Sequence, residues 1–258
     1  MPPSPGETPM TSPTVILARR NTLRILRNPG AVVGGLVTPA VMFLAIWTVF
    51  GRAMDASGLD YAQYLTPGVC LQAVVFAAGG SAMAIGVDRS SGLLDRQRTL
   101  PISALAPIVG RLAADLLRCA ASVAVVTALG VVFGFRFTGS VVDGVVYVLL
   151  VALFAMAIAL LFDAIAVGAK TPESAAIVVQ TATIPLILLS TAYAPSAAMP
   201  DWAAPVIGHL PVSAIGEALR DASAGSLDVG VVAEAGGWAL LIGAVGLILG
   251  LRAFRRTR

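Results

Sequence analysis

Charge is the first thing this chain lacks. Only 12% of its 258 residues are charged while 57% are hydrophobic, and the mean hydropathy is +0.88. So few charges cannot cover a soluble domain of this length, so the composition excludes a water-soluble globule and indicates an integral membrane protein. Histidine occurs once and cysteine twice. No metal-ligand spacing and no disulfide framework follow from so few. Cys70 and Cys119 lie in different apolar runs at depths too unlike for a bridge, and are expected to pack as small hydrophobes. Aromatics make up 6%, which weighs against a sugar-stacking polysaccharide conduit. The sequence pI near 9.2 invites a nucleic-acid reading, but the arginines flank apolar runs and form no patch beside aromatics. No nucleic-acid partner is expected, and charge here sets orientation.

What the chain has is long apolar runs. About 20 apolar residues at ~1.5 Å each cross the hydrocarbon core, and six stretches qualify: roughly 30–50, 64–87, 105–133, 141–167, 174–193 and 229–251. They are continuous, without the short alternating segments of a barrel, so the expectation is an all-α polytopic protein with six transmembrane helices. An even count puts both termini on one side. Placing them in the cytoplasm puts fourteen basic residues inside and only Arg52, Arg136 and Arg220 outside, the asymmetry expected of a multi-pass protein of the bacterial cytoplasmic membrane.

The remaining segments divide by composition. Residues 1–13 carry five prolines among polar residues and are expected to be a disordered, retained tail, with 14–258 a single transmembrane domain. From Thr14, Arg20, Arg24 and Arg27 share one helical face and Val15, Ala18, Thr22 and Ile25 another. This predicts an amphipathic helix on the inner leaflet, either a basic flank or an elbow that touches a partner. Between the second and third runs lies DRSSGLLDRQRTLP, residues 88–101, with five ionised side chains (Asp88, Arg89, Asp95, Arg96, Arg98), a break at Gly92 and a stop at Pro101. Charges spaced along a short helix can bond within it or to a soluble partner; solvated loop charges are the plainer alternative.

Polar residues inside the runs are candidates for a pathway or gate. Gln72 and Gln180 are amides that avoid lipid by facing other helices or a substrate. Asp163 is a lone carboxylate near an inner end, and Arg111, Asp115 and Arg118 share one face of the third run, as a structural ion pair or as the wall of a vestibule. Gly168-Ala169-Lys170-Thr171 lacks the glycines and the preceding strand of a phosphate loop and reads as a turn. Residues 194–228 hold four prolines, Trp202, an apolar run at 203–210 and Glu217 three before Arg220. Too apolar for a solvated loop and too broken for a span, this segment is expected to form a re-entrant outer hairpin of short helices. His209 within it suits a solvent or headgroup contact better than proton chemistry. In the last run Gly243, Gly246 and Gly250 form a small-residue stripe for close helix contact, within the chain or across a dimer.

One constellation is familiar. Tyr64-x-x-Pro67-Gly68, an apolar span, then Asp88-Arg89-x-x-Gly92-x-x-Asp95-Arg96-x-Arg98-x-x-Pro101-Ile102-Ser103 and Gly110-Arg111 resembles the permease subunits of type-2 ABC exporters, closest to the daunorubicin-resistance type of actinobacteria. The resemblance covers the chain from about Arg19 onward; Asp88 stands where many relatives carry Glu. It implies that residues 88–101 are a coupling helix docking on a separate ATPase subunit. It implies that Trp202, Glu217 and Arg220 belong to an outer gate, and that two permeases, identical or paralogous, assemble with two ATPases. ATP and magnesium would bind the ATPase, leaving this chain with no catalytic residue, metal or cofactor of its own. The implied cargo is a hydrophobic drug, polyketide antibiotic or lipid. Two other classes would use the same features: a proton-coupled secondary transporter needing Asp163 or the Arg111–Arg118 face, and a non-transporting membrane anchor.

Overall fold

The computed structural model describes residues 29–90, 92, 105–169 and 171–256. The expected tail at 1–13, the expected amphipathic helix after it, and Asp95, Arg96, Arg98 and Pro101 lie outside the described residues. Those described form eight α-helices and no strand: α1 Pro29–Ala56, α2 Tyr61–Ser90, α3 Leu105–Val132, α4 Val141–Gly168, α5 Pro172–Leu188, α6 Ala204–Gly208, α7 Pro211–Ala224 and α8 Val229–Arg256. Five carry apolar stretches long enough to cross a membrane: Gly35–Met54, Tyr61–Gly86, Arg111–Val132, Val141–Gly168 and Val229–Ala253.

Two of the helix starts are set by reciprocal side-chain caps. Ser140 Oγ accepts from the Asp143 amide at 3.3 Å while Asp143 Oδ2 accepts from the Ser140 amide at 2.6 Å, a reciprocal box that starts α4. Thr171 and Ser174 repeat the arrangement at α5. Inside α1, Pro39 offers no N–H to the carbonyl of Gly35 four residues back. Ser122 of α3 supplies the missing donor at 2.9 Å, which converts a helix defect into an α1–α3 contact.

The fifth expected run, 174–193, behaves differently. Its apolar helix covers only Glu173–Leu188, about 24 Å at the usual rise, and residues 189–193 leave the helix instead of extending it. The cause is capture of their backbone. The Thr191 carbonyl accepts from the Tyr64 hydroxyl at 2.6 Å and from Arg220 Nη2 at 2.7 Å, and the Tyr193 carbonyl accepts from the Tyr61 hydroxyl at 3.0 Å. Gly68 makes room for this chain, since a Cβ there would collide with the Ala192 carbonyl. α1, α2, α4 and α8 run past the expected limits, α1 to Ala56 and α8 to Arg256.

Packing is centred on α2. It is the most enclosed of the five long helices, and one core cluster joins it to α4, α5, α7 and α8 through Leu71, Val75, Phe154, Ile158, Phe162 and Leu219. A second, around Phe43, Tyr61, Leu65 and Val126, joins α1 and α3 to the start of α2. There Trp47 lies 5.3 Å from Phe133 and 5.9 Å from Tyr61, ring centroid to centroid. The glycine stripe of α8 packs within the chain: a Cβ on Gly246 would stand 2.5 Å from the Leu161 amide nitrogen of α4, and Gly250 faces Ala164. Cys70 and Cys119 are buried and free.

Gly246→Ala is therefore expected to destabilise the purified chain by about 1–3 kcal/mol, as overpacking against rigid backbone does. Gly237, with open space around it, should gain about 0.5–1 kcal/mol as alanine from its better helix propensity. Unfolding of both variants in detergent measures this, and equal stabilities would contradict the α4–α8 contact.

Candidate functional site

Two polar clusters occupy opposite ends of α2. The first gathers where α7 and the 189–193 segment meet the Tyr61 end. Arg220 is 9% exposed, in an environment where a guanidinium must be satisfied on every side. Its Nε donates to the Tyr64 carbonyl at 3.1 Å, Nη2 to the Thr191 carbonyl at 2.7 Å and Nη1 to Glu217 Oε2 at 3.0 Å. The guanidinium carbon lies 3.8 Å from the centre of the Tyr64 ring, a cation–π contact that uses the remaining face. One side chain thus joins α2, α7 and the chain after α5.

Hydroxyls and an amide extend the first cluster. The Thr191 amide donates to Ser213 Oγ at 3.0 Å, and Gln63 Nε2 donates to Ser223 Oγ at 3.2 Å while its Oε1 accepts from the Arg136 amide at 3.0 Å. The Thr138 amide donates to the Ser223 carbonyl at 2.8 Å. The α3–α4 turn, the start of α2 and α7 are therefore one hydrogen-bonded unit. Gly225, left-handed at φ 76°, closes α7 as its C-cap.

The second cluster lies at the Asp88 end, between α2, α3 and α4. Asp88 is buried and bonds Arg111 Nη2 at 3.0 Å. Asp115 accepts from Ser81 Oγ at 2.9 Å, with Arg118 Nη1 3.9 Å from its other oxygen. Arg118 Nη1 also donates to the Ala77 carbonyl at 3.2 Å, leaving Nε without a partner. Asp163 of α4 faces the same charges, and its Oδ1 is sealed from solvent without a hydrogen bond.

The expected site residues thus separate. Glu217 and Arg220 meet in the first cluster, with Gln72 buried in α2 beside Tyr193 and its Oε1 unpartnered. Asp88 and Asp163 meet in the second, and Arg111, Asp115 and Arg118 form ion pairs there. Arg89 stands in the last turn of α2, and Gly92 follows it in the left-handed region at φ 69°. Gln180 is exposed on α5, and Trp202 is 81% exposed ahead of α6; neither joins a cluster. His209, also exposed, lies 2.8 Å from Glu234 of α8. The partners of Arg220 that sequence reasoning did not single out as site residues are Tyr64 and Thr191; Tyr64, at the head of the Tyr-x-x-Pro-Gly pattern, was the available signal. Among the described residues no group of histidines, cysteines and carboxylates is placed to hold a metal.

Comparison with known proteins adds the family. Residues 13–223 match the sequence profile of the family described as ABC-2 type transporter. The chain is 29% identical over 231 residues to the daunorubicin resistance ABC transporter permease protein of Streptomyces coeruleorubidus, covering 88% of this chain and 82% of that one. It is 26% identical over 209 residues to a protein of Mycobacterium tuberculosis named probable doxorubicin resistance ABC transporter permease, covering 80% and 75%.

Arg220→Lys keeps the charge but cannot reach three acceptors lying in different directions. Breaking this buried set is expected to cost about 3 kcal/mol or more. Glu217 is 56% exposed, so Glu217→Gln should cost under about 1 kcal/mol. Denaturant titration of the two variants gives the ranking, and a tolerated Arg220→Lys would show that the cluster does not hold α7 to α2.

Proposed function

This chain belongs to the ABC-2 type transporter family as the membrane permease subunit of an ABC exporter, and from that premise we propose how it is powered and what it moves. The cargo is a hydrophobic compound, a drug, polyketide antibiotic or lipid; the names of the two relatives support the drug-like end of that range. Two copies, or this chain and a paralogue, assemble with two ATPase subunits, which bind the nucleotide and magnesium. Both termini are cytoplasmic. The short helix α5 completes a set of six spans, α6 and α7 form the re-entrant outer hairpin, and an elbow helix precedes α1.

The observation that carries this reading is the family match over residues 13–223, which includes the charged stretch 88–101. In the proposed mechanism that stretch is the coupling helix. It follows directly on α2, whose far end is tied to α7 by Arg220. ATP-driven closure of the ATPases displaces the coupling helix, α2 moves with it, and the hairpin follows because Arg220, Tyr64 and the Gln63–Ser223 bond tie α7 to α2. Asp88 works inside the membrane subunit, holding the end of α2 to Arg111 of α3. Arg89, Asp95, Arg96 and Arg98 remain the groups for the partner.

Replacing Arg89 and Arg96 with Ala should leave membrane abundance unchanged, because the other basic residues preserve orientation. Co-purification of the ATPase and ATP-driven efflux should fall together by roughly tenfold or more, as loss of ~1.5–3 kcal/mol of charge-assisted contact implies. Efflux and co-purification at wild-type level would remove the coupling role, and efflux driven by a pH gradient without ATP would favour a secondary transporter. Orientation has a separate test. Against the buried native cysteines, new ones at Asp55 and Ser226 should react with impermeant thiol reagents from outside and one at Thr257 only after permeabilisation; the reverse pattern would invert the topology.

A further inference from the structure

The two helices between α5 and α8 are held unequally. α7 buries ten of its fourteen residues and is bonded to α2 through Arg220 and Ser223. α6 buries none of its five, and over residues 199–210 Ala203 alone is buried. Val206 and Trp202 face outward. Two residues make the whole link between the helices, since His209 closes α6 and Leu210 opens α7. His209 also ties this stretch to the bundle: its Nδ1 lies 2.8 Å from Oε1 of Glu234, in the second turn of α8. Among the described residues, that is the one side-chain hydrogen bond or ion pair made by residues 194–210. The other charged groups near it are engaged elsewhere or do not pair with it. Asp228 accepts from the Gly230 and Val231 amides at the start of α8, and Glu217 and Arg220 of α7 hold each other. Asp201, ahead of α6, and Asp221 of α7 form no ion pair with His209. Both members of the pair reach solvent, His209 with 76% of its side chain and Glu234 with 37%.

We propose that His209 and Glu234 are a proton-operated latch that holds α6 against α8. Imidazole side chains change charge between about pH 5 and 8. At the acid side of that window the ring is an imidazolium, and it attracts the Glu234 carboxylate directly. As the pH rises, the Nε2–H bond breaks, its electron pair stays on the ring and the proton passes to water. Nδ1–H still faces Glu234, but the ion pair has become a hydrogen bond from a neutral donor, which is weaker. The sign is therefore fixed: rising pH loosens the latch. An exposed ion pair counts for little in a rigid fold. Here it decides the outcome, because α6 has no buried side chain to outweigh it. Once released, α6 swings on the His209–Leu210 link while Arg220 and Ser223 keep α7 on α2. The latch needs neither nucleotide nor partner subunit, so it stands apart from the exporter reading; only the side of the membrane it senses rests on the outer placement of the hairpin.

A nitroxide attached to Val206→Cys reports α6 directly, since that position is 65% exposed and both native cysteines are buried. The full-length chain is studied in lipid nanodiscs, which open both faces to the buffer and make the result independent of topology. With His209 and Glu234 intact, the ratio of mobile to immobile label should rise by about two- to fivefold between about pH 6 and about pH 8.5, as loss of one exposed ion pair implies. His209→Lys stays charged across that range and should keep the label immobile at both ends of it. His209→Gln and Glu234→Gln should each give a mobile-rich ratio that no longer responds to pH. A label on Ala224→Cys, exposed at the end of α7, should not respond in any variant. A ratio at Val206 that ignores pH or moves the opposite way, a response that survives either glutamine variant, or an equal response at Ala224 would each overturn the proposal.

Discussion

A guanidinium or carboxylate withdrawn from water inside an apolar bundle must find its partners within the protein, and the polar architecture of this chain follows from that constraint. Arg220 meets it with three carbonyl or carboxylate acceptors and the face of Tyr64. Because the acceptors belong to α2, α7 and the chain after α5, satisfying one side chain joins three segments. Asp88 and Arg111 do the same for α2 and α3 at the other end. Apolar packing between membrane helices has little directional preference, since lipid tails compete with side chains on equal terms. Pairing of these few charges, by contrast, admits very few arrangements.

The consequence is mechanical. α2 begins in one polar cluster, ends in the other, and leads directly into the charged stretch that follows it. Its middle is enclosed by α3, α4, α5 and α7 through small and branched apolar side chains, and glycine at Gly68 and Gly130 lets the 189–193 segment and α3 approach closely. A displacement at one end of such a helix is carried to the other with little loss, because close-packed interiors transmit strain. In the proposed mechanism this suits α2, with α7 bonded to it, to carry motion from one end of the bundle to the other.

Much of this was legible in the residues. Continuous apolar runs located every long helix, because a helix hydrophobic on all sides has no stable alternative to a membrane or a core. The four prolines of 194–228 marked the short-helix segment. The end of α5 was not legible: Leu189 to Tyr193 is as apolar as many helix ends, and what stops it is the capture of its carbonyls by Tyr61, Tyr64 and Arg220, side chains distant in sequence. Nor could spacing reveal that Asp88 faces Arg111, because the intervening residues 89–110 set no register between α2 and α3. The glycine stripe of α8 could have served a dimer or the chain itself; only the approach of Gly246 to the backbone of Leu161 decided it.

The central claim is that α2 and the hairpin move as one body when the exporter turns over. Gln63 of α2 and Ser223 of α7, joined by a 3.2 Å hydrogen bond, are the positions at which to test it. Both are replaced by cysteine and bridged with a short bifunctional thiol reagent in inverted membrane vesicles containing the complete complex, and ATP-driven transport is measured before and after bridging. Transport unchanged by the bridge is the result this account predicts. Transport that stops on bridging and returns when a reducible bridge is cut would contradict it, because the hairpin would then have to part from α2 in each cycle.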